Sequence, residues 1–200
     1  MENMLETVLS VLGRLQMEKN PLLLALDGRC AAGKTTLAAQ LRERTGCTVI
    51  HMDDFFLRPE QRTAERLAQP GGNVDWERFL EEVLLPLKKG RPFQYRPYDC
   101  HTQALREPVR ITPGSVTLVE GSYSCHPRLW TFYDFHIFLD ITKEEQLSRI
   151  EKRNGSEMLE VFRSRWIPME ESYFQTFSIE ERCELRFPER KANLEENSHR

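Results

Sequence analysis

The chain has 200 residues, of which 40% are hydrophobic and 30% are charged, and its formal net charge is −3. This apolar fraction supports a folded core and the net charge is small, which excludes a mainly disordered polyelectrolyte and predicts one domain over residues 1–200. Without a long-range positive field, neither nucleic acid nor an anionic membrane surface is expected as a partner.

The compartment and the redox state follow from two further features. The longest apolar run, residues 22–26, is far shorter than the ~20 residues of a membrane helix, and the N-terminus lacks a basic region followed by an apolar one. We therefore expect a cytoplasmic protein. Its five cysteines are an odd number without a C-x-x-C pair, which predicts reduced thiols and neither a disulfide framework nor a zinc site.

The first quarter of the chain alternates helical and strand patterns. Apolar residues at helical spacing over 4–16 predict an N-terminal amphipathic helix, placed within residues 1–19. The continuous apolar run 21–27 predicts a strand that is buried on both faces. A helix over 35–43 and a second short strand over 48–52 follow from composition.

The middle of the chain, residues 57–110, is rich in proline, glycine and charge and predicts an insertion over a site, with a helix over 76–88. Two further strands are predicted over 115–121 and 135–140, followed by a long helical region over 143–177 that is interrupted near Gly155. Strands that alternate with helices predict an α/β fold, a parallel sheet with helices on both faces and with sites at the carboxyl ends of its strands.

A phosphate-binding motif directly follows the first predicted strand. Residues 28–35, GRCAAGKT, match G-x-x-x-x-G-K-[ST] and precede a predicted helix, as the motif requires. In such a loop successive N–H groups and the positive end of the helix dipole point at a phosphate. Lys34 would reach the β- and γ-phosphates, and the Thr35 hydroxyl would bind Mg²⁺. The predicted nucleotide-binding residues are Gly28, Arg29, Cys30, Ala31, Ala32, Gly33, Lys34, Thr35 and Thr36.

Acidic residues follow two of the other predicted strands. Asp53 and Asp54 come directly after the second strand, and Glu120 closes the run VTLVEG. The carboxyl ends of neighbouring parallel strands meet at the crevice that holds the phosphate loop. We predict that Asp53 is the base for an acceptor hydroxyl and that Thr35, Asp53 and Glu120 hold the metal. Capping of the next turn is the alternative for Asp53 and Asp54.

Arginines cluster where the long helical region is interrupted. Arg149 and Arg153 share a helix face, and Arg163 and Arg165 follow the interruption. Guanidinium groups stabilise a transferring phosphoryl group, whereas a solvated basic face is the ordinary alternative. Beside a phosphate loop we predict a closing lid over residues 149–166, in which Arg153 is catalytic and Arg149 binds substrate.

Taken together, these motifs resemble the uridine kinase and phosphoribulokinase group of P-loop kinases over roughly residues 21–193. The segments that carry the resemblance are ALDGRCAAGKTTLA (25–38), HMDDFF (51–56), GGNVDWERF (71–79), QYRPYDC (94–100), VTLVEG (116–121), QLSRIEKRNG (146–155) and CELRFPERKAN (183–193). The resemblance implies a three-layer P-loop kinase fold, ATP and Mg²⁺ as cofactors, and transfer of the γ-phosphoryl group to a ribosyl 5′-hydroxyl. It also allows a homo-oligomer.

The resemblance further implies roles for substrate-binding residues. Asp75 would bind sugar hydroxyls and Tyr98 would lie beside the nucleoside, while the strand and proline-arginine segment of 183–193 would lie near the adenine. His101, also predicted to bind substrate, stands three residues after Tyr98, whereas uridine kinases carry a histidine five residues after this tyrosine. The DDFF pair and the segment WIPMEESY (166–173) are more similar to nicotinamide riboside kinases. A pyrimidine nucleoside and nicotinamide riboside therefore both remain open as acceptors.

Two other classes of function remain as alternatives. A regulatory GTPase would read guanine with an [NT]-K-x-D segment, which TKEE at residues 142–145 approaches but ends in glutamate. The other alternative is a family member that binds nucleotide without turnover, but the basic and acidic residues that a kinase needs are all present. The sequence favours the kinase.

Overall fold

A computed structural model of the chain describes residues 2–187, and its centre is a parallel β-sheet. In the described residues the strands are β1 Leu22–Gly28, β2 Thr48–His51, β3 Phe93–Tyr95, β4 Tyr98–Asp99, β5 Ala104–Leu105, β6 Val109–Ile111, β7 Val116–Glu120, β8 Phe135–Leu139 and β9 Leu185–Phe187. The sheet has the order β2-β7-β1-β8-β9, and every pair in it is parallel. The strand that carries the phosphate-loop motif is therefore central, with β7 and β8 on either side.

Helices cover both faces of this sheet. They are α1 Glu2–Glu18, α2 Lys34–Thr45, α3 Ala64–Leu67, α4 Trp76–Phe79, α5 Leu85–Lys88, α6 Lys143–Asn154, α7 Ser156–Val161, α8 Ile167–Phe177 and α9 Ile179–Arg182. Wider π-type turns, Leu80–Leu84 and Phe162–Trp166, join α4 to α5 and α7 to α8. Within the described residues, no helix is long and apolar enough to cross a membrane.

The apolar strands separate two hydrophobic cores, because successive side chains of a strand point to opposite faces. Leu24 and Leu26 of β1 belong to one core together with Leu12 of α1 and residues of α2. Ala25 belongs to the other core, which contains Phe55, Phe79 and Tyr173. The structure thus confirms the predicted α/β architecture, a parallel sheet with helices on both faces.

The predicted elements agree with the structure to within one or two residues at most ends. The helix predicted over 76–88 is continuous from α4 to α5, and the long helical region is interrupted at Gly155, as the sequence indicates. The first strand lies at Leu22–Gly28, one residue later than predicted, because Gly28 still pairs with Leu139. Of the predicted adenine-side segment 183–193, the strand is described as β9 Leu185–Phe187, whereas its remainder from Pro188 onward lies outside the described residues.

Residues 57–110 add short irregular elements beside the carboxyl end of the sheet. Besides the helix from α4 to α5, they contain two antiparallel ribbons, β3 with β6 and β4 with β5. The bridge from Phe56 to Val74 ties this segment to the end of β2. All five cysteines are free in this structure.

Candidate active site

The loop between β1 and α2 has a backbone that requires glycine. Gly28 has φ +136, and a Cβ there would lie 2.0 Å from the carbonyl oxygen of Leu139 in the neighbouring strand. Gly33 has φ +103 and is the N-cap of α2. The loop therefore turns sharply out of the sheet and directs the first N–H groups of α2, which have no acceptor in their own helix, toward the space above it.

Lys34 lies inside this loop. Its ammonium Nζ donates to the carbonyl oxygens of Gly28 at 2.6 Å and Arg29 at 2.9 Å, and Ser122 Oγ is 3.5 Å away. The side chain is buried, so its positive charge is held at a fixed point next to the N-terminus of α2. The loop and the lysine together form a positive, concave site that suits phosphate groups.

Hard oxygen donors lie next to this positive site. Thr35 Oγ1 is 3.2 Å from both carboxylate oxygens of Glu120, at the end of β7. His51 Nδ1 is 2.6 Å from Glu120 Oε1, and this hydrogen bond is the main reason why the pKa of His51 is raised. Hydroxyl and carboxylate oxygens are the donors that Mg²⁺ prefers, and at nucleotide sites it takes one or two of them together with phosphates and water. Thr35 and Glu120 fit that requirement.

Asp53 lies at the end of β2, across the same opening. It is accessible from the cavity, yet protein surrounds it on most sides, and this partial desolvation raises the pKa of Asp53 to about 6. The Glu120 carboxylate adds to the rise, whereas Lys34 opposes it. Asp53 is therefore a carboxylate of moderate basicity beside a phosphate loop, which suits it to accept a proton near neutral pH.

One cavity of about 650 Å³ joins these groups to the insertion and to the helices after β8. Of the sequence-predicted site residues, it is lined by Cys30, Ala31, Gly33, Lys34, Thr35, Thr36, Asp53, His101, Glu120, Arg149 and Arg153. A cavity of this size accommodates a drug-sized or nucleotide-sized ligand. The phosphate loop, both strand-end acids and both predicted lid arginines thus share one space.

The chain is similar to known kinases. No protein-family profile matches the chain. A uridine kinase of Ureaplasma parvum is 26% identical over 175 residues, which cover 78% of this chain and 84% of that protein. Uridine-cytidine kinase B of Dictyostelium discoideum is 27% identical over 148 residues, which cover 70% of this chain and 60% of that protein. The structure of a possible uridine kinase from Bacillus stearothermophilus matches 84% of this chain and 89% of that chain with a TM-score of 0.63 and 22% identity.

The chain is thus similar to uridine kinases over most of its length, and its fold matches that of a possible uridine kinase. The similarity supports a small-molecule kinase, a transferase that moves a phosphoryl group. Several of the predicted site residues have contacts that the sequence motifs do not indicate.

Two residues predicted to bind substrate, Asp75 and Tyr98, do not line the cavity. The buried carboxylate of Asp75 caps α4, where it accepts from the Arg78 backbone N–H at 3.1 Å, and it also accepts from Gln61 Nε2 at 2.7 Å. Tyr98 is buried, and its hydroxyl contacts Arg62 Nη2 at 3.3 Å. Their substrate roles remain predictions from the resemblance; in this structure both residues support the wall of the site.

Three phosphate-loop residues also lie behind the cavity surface. Besides Gly28, these are Ala32, whose N–H donates to the Arg29 carbonyl at 3.1 Å, and Arg29 itself. The Arg29 guanidinium pairs with Asp140 and, at 2.7 Å, with Glu171 of α8. Arg29 therefore anchors the loop to α8.

The sequence reasoning missed the acid that holds the loop from the other side. Glu170 of α8 is buried and accepts from the Cys30 backbone N–H at 2.9 Å and from Ser122 Oγ at 2.5 Å. Burial raises the pKa of Glu170 and also raises the pKa of the Cys30 thiol to about 12, which makes that thiol a poor nucleophile. The similarity of WIPMEESY to a kinase segment was the available signal, but it did not indicate a contact with the phosphate loop.

A second missed acid lies directly before the loop. Asp27 is fully buried, and its two oxygens accept from the backbone N–H groups of Gly28, Tyr123 and Cys125 and from the Tyr173 hydroxyl. Four hydrogen bonds satisfy a carboxylate that burial would otherwise make costly. The alternation of residues along β1 does not predict this buried, hydrogen-bonded position of Asp27, because most of its hydrogen-bond donors come from distant parts of the chain.

Proposed function

We propose that the chain is an ATP- and Mg²⁺-dependent kinase that transfers the γ-phosphoryl group to a hydroxyl of a small acceptor, most simply the 5′-hydroxyl of a nucleoside. The observation that carries the proposal is that the phosphate loop, Asp53 and Glu120 line one cavity together with side chains of the insertion. The similarity to proteins named uridine kinase and uridine-cytidine kinase supports a nucleoside as the acceptor.

The contacts of the site residues suit specific roles in the proposed phosphoryl transfer. Thr35 and Glu120 would hold Mg²⁺ with Asp53 beside them, and the bound metal nucleotide supplies the phosphoryl group and neutralises its charge. Lys34 is held among loop carbonyls, next to where the β- and γ-phosphates bind such a loop. Asp53 would orient the acceptor hydroxyl and take its proton.

Positive charge from the helices after β8 completes the site. Arg149 donates to the Ala31 carbonyl of the phosphate loop at 3.1 Å, which places its guanidinium at the nucleotide end of the cavity. Arg153 lines the cavity one helical turn further on. We assign Arg153 to the transferring phosphoryl group, whose charge rises on its oxygens in the transition state. Closure of residues 149–166 as a lid is part of this proposal.

The regulatory GTPase is less well supported. Thr142, the first residue of the segment that approaches a guanine-reading motif, is the N-cap of α6 and accepts from the Glu145 backbone N–H at 3.0 Å. The Glu145 side chain pairs with Arg149 at 2.8 Å. Both side chains thus have structural partners in this chain.

A coupled assay of ADP release tests the proposal. The purified chain is given Mg²⁺-ATP and, one at a time, a panel of nucleosides, nicotinamide riboside, pantothenate and small sugars. We expect at least one nucleoside to raise ADP release above the rate without acceptor. Stimulation by a non-nucleoside alone would keep the kinase and reject the nucleoside, and no stimulation by any member would contradict the proposed function.

A pair of lysine variants checks that turnover uses the phosphate loop. We expect Lys34→Ala to lower turnover by about 10²-fold or more, because an electrostatic contact to the reacting phosphates is lost. Lys89→Ala, at an exposed position after α5, is the matched control and should keep the wild-type rate. Unchanged turnover in Lys34→Ala would reject the assignment of the loop.

A further inference from the structure

Arg62 is an arginine of the insertion that lines the cavity and that the proposed reaction does not use. It follows the short turn Pro59–Gln61, contacts Tyr98 and lies near Cys100, so its neighbours belong to the insertion. Arg149, by contrast, contacts the phosphate loop through the Ala31 carbonyl, and Arg153 lies one helical turn further along α6.

The guanidinium of Arg62 is held in place by neutral groups. Its Nε donates to the Leu57 carbonyl at 2.9 Å, its Nη2 donates to the Tyr98 hydroxyl at 3.3 Å, and its central carbon lies 5.8 Å from the centroid of the Tyr98 ring. Of the five N–H donors of a guanidinium, these contacts occupy two. The others remain for a ligand, in an orientation that the protein has already set.

Arg62 has no carboxylate within salt-bridge distance in residues 2–187, unlike the partly buried Arg29 and Arg66. Arg29 pairs with Glu171 at 2.7 Å, Arg66 pairs with Glu77 at 2.6 Å, and Arg149 pairs with Glu145 at 2.8 Å. A half-buried guanidinium that is fixed but lacks a counter-charge is suited to meet an anion from outside the protein.

The acids near Arg62 are committed to other partners. Asp99 Oδ1 accepts from the backbone N–H groups of His101 and Thr102, and Oδ2 lies 3.9 Å from Arg106 Nε. Glu60, on the turn before Arg62, pairs with Arg58 at 3.4 Å. Asp53 belongs to the reacting end of the cavity and also lines it.

We propose that Arg62 binds an acidic group of the acceptor. The preferred substrate then carries a carboxylate or a phosphate at the end away from the hydroxyl that Asp53 orients. This inference rests on the proposed function, because it assumes that the chain transfers a phosphoryl group to an acceptor. The positive charge that Arg62 brings to the cavity does not depend on that assumption. An anion that enters a cavity already holding Asp53 and Glu120 gains only if a fixed cation meets it. Arg62 meets that condition at the end of the cavity away from the phosphate loop.

Matched acceptor pairs test the inference in the ADP-release assay. The members of each pair share a skeleton and differ in the presence of one acidic group: nicotinamide riboside and nicotinic acid riboside, pantothenol and pantothenate, glycerol and glycerol 3-phosphate. We expect the acidic member of at least one pair to have a kcat/KM about tenfold or more above its partner without the acidic group, since charge-assisted hydrogen bonds are the strong ones. The carboxylate and phosphate pairs distinguish the two acids.

Three variants assign any acid preference to this residue. Arg62→Gln should remove the preference and Arg62→Lys should keep part of it, because the charge remains. Arg110→Gln, at an exposed position on β6 and outside the cavity lining, should keep the wild-type ratio. If neutral acceptors are used as well as acidic ones, the inference is wrong and the kinase stands.

A second measurement needs no acceptor and separates the two proposals. Cys100 is exposed and lines the cavity near Arg62, whose charge acts on its thiol. Its alkylation by iodoacetate, an anion, is compared with that by neutral iodoacetamide at one pH, with the modified residue identified by peptide mass spectrometry. The ratio of the two rates cancels the thiolate fraction, which is the same for both reagents.

We expect Arg62→Gln to lower this ratio by about twofold or more, as the loss of one nearby charge predicts, and Arg62→Lys and Arg110→Gln to leave it near the wild-type value. An unchanged ratio in Arg62→Gln would overturn the inference even if the chain is a kinase. A lowered ratio in a chain that uses none of the acceptors would reject the proposed function and retain Arg62 as an anion-binding residue.

Discussion

Asp53 and Asp54 show at the level of single residues how neighbours of one type acquire different roles. Asp53 opens into the cavity, where burial and Glu120 raise its pKa to about 6. Asp54 accepts a hydrogen bond from the Tyr95 hydroxyl at 2.8 Å, and burial is the main cause that raises its pKa. Asp54 therefore joins the insertion strand β3 to the end of β2, while the Asp53 side chain remains open to the cavity.

The pair provides a matched test of the proposed base. We expect Asp53→Asn to lower kcat by about 10²-fold or more, the usual contribution of a positioned base, while ATP still binds. Asp54→Asn keeps an oxygen that can accept from Tyr95, so its kcat should stay within about threefold of wild type. Steady-state kinetics and nucleotide-binding titrations compare the two, and a near wild-type kcat for folded Asp53→Asn would reject the base.

The raised pKa of Asp53 also predicts a pH dependence. In the metal-free protein the pKa of Asp53 is about 6, and a protonated Asp53 can no longer accept a proton, so turnover should fall at acid pH with a midpoint that bound Mg²⁺-ATP places below about 6. In the metal-free protein the Asp53 carboxyl carbon should titrate near this value by NMR, and Mg²⁺-ATP should shift the midpoint downward because a cation favours the carboxylate. A metal-free midpoint close to that of an unperturbed aspartate would contradict the prediction.

At the scale of elements, the unit β1, loop and α2 explains how local sequence becomes a site. Its glycines permit the turn, its apolar strand is central in the sheet, and α2 begins directly at Lys34. What keeps the loop in place comes from elsewhere: β8 packs against Gly28, and α8 holds Arg29 and Cys30 through Glu171 and Glu170. The motif predicts the loop, and the neighbouring elements stabilise it.

The two glycines of the loop predict unequal costs for the same substitution. Gly28→Ala places a Cβ 2.0 Å from the backbone of β8, and we expect it to lower the free energy of unfolding by about 3 kcal/mol or more. Gly33 has no atom within 4 Å of a built Cβ, so Gly33→Ala should cost about 1–2 kcal/mol from its positive φ alone. Chemical denaturation measures both, and equal costs would show that packing against Leu139 is not the difference.

Across the whole molecule, the sheet links two cores that lie on opposite sides of it. Helix α1 contributes Leu12 to one of them, far along the chain from the site residues of the insertion. Leu12 is 4% exposed, whereas Met17 on the same helix is 82% exposed. Leu12 therefore belongs to the core on the opposite side of the sheet from the core that contains the insertion residues Phe79 and Tyr95.

This separation predicts the effects of two substitutions in α1. Leu12→Ala removes a buried side chain and should lower the free energy of unfolding by about 2–5 kcal/mol, while Met17→Ala should change it by less than about 0.5 kcal/mol. Below the unfolding transition both variants should keep the wild-type turnover. Denaturation curves and the ADP-release assay check the two expectations, and equal stabilities would mean that α1 does not pack on this core in solution.

The distribution of charge is also a property of the whole molecule. The net charge of −3 says nothing about local fields, yet the cavity collects Lys34, Arg62, Arg149 and Arg153. These cations face Asp53 and Glu120 across a space of about 650 Å³. Such an arrangement favours one small anionic ligand with its metal rather than an extended polyanion.

The sequence by itself determined the order of strands and helices, the phosphate loop and the acids at the ends of β2 and β7. It could do so because these features depend on local periodicity and on one strict motif with a required context. The parallel sheet followed from the alternation of elements, and the structure confirms it.

Only the tertiary structure decided which side chains meet. Asp75 and Tyr98 lie behind the wall although the motifs suggest substrate contacts, and Glu170 reaches the phosphate loop although it is 140 residues from Cys30. In the sequence nothing distinguishes Arg62 from a surface arginine. The structure shows that it has no carboxylate partner in residues 2–187, whereas Arg29 and Arg66 have one. The reason is physical: burial, ion pairing and pKa depend on neighbours brought together by packing, and local sequence patterns do not encode those distances.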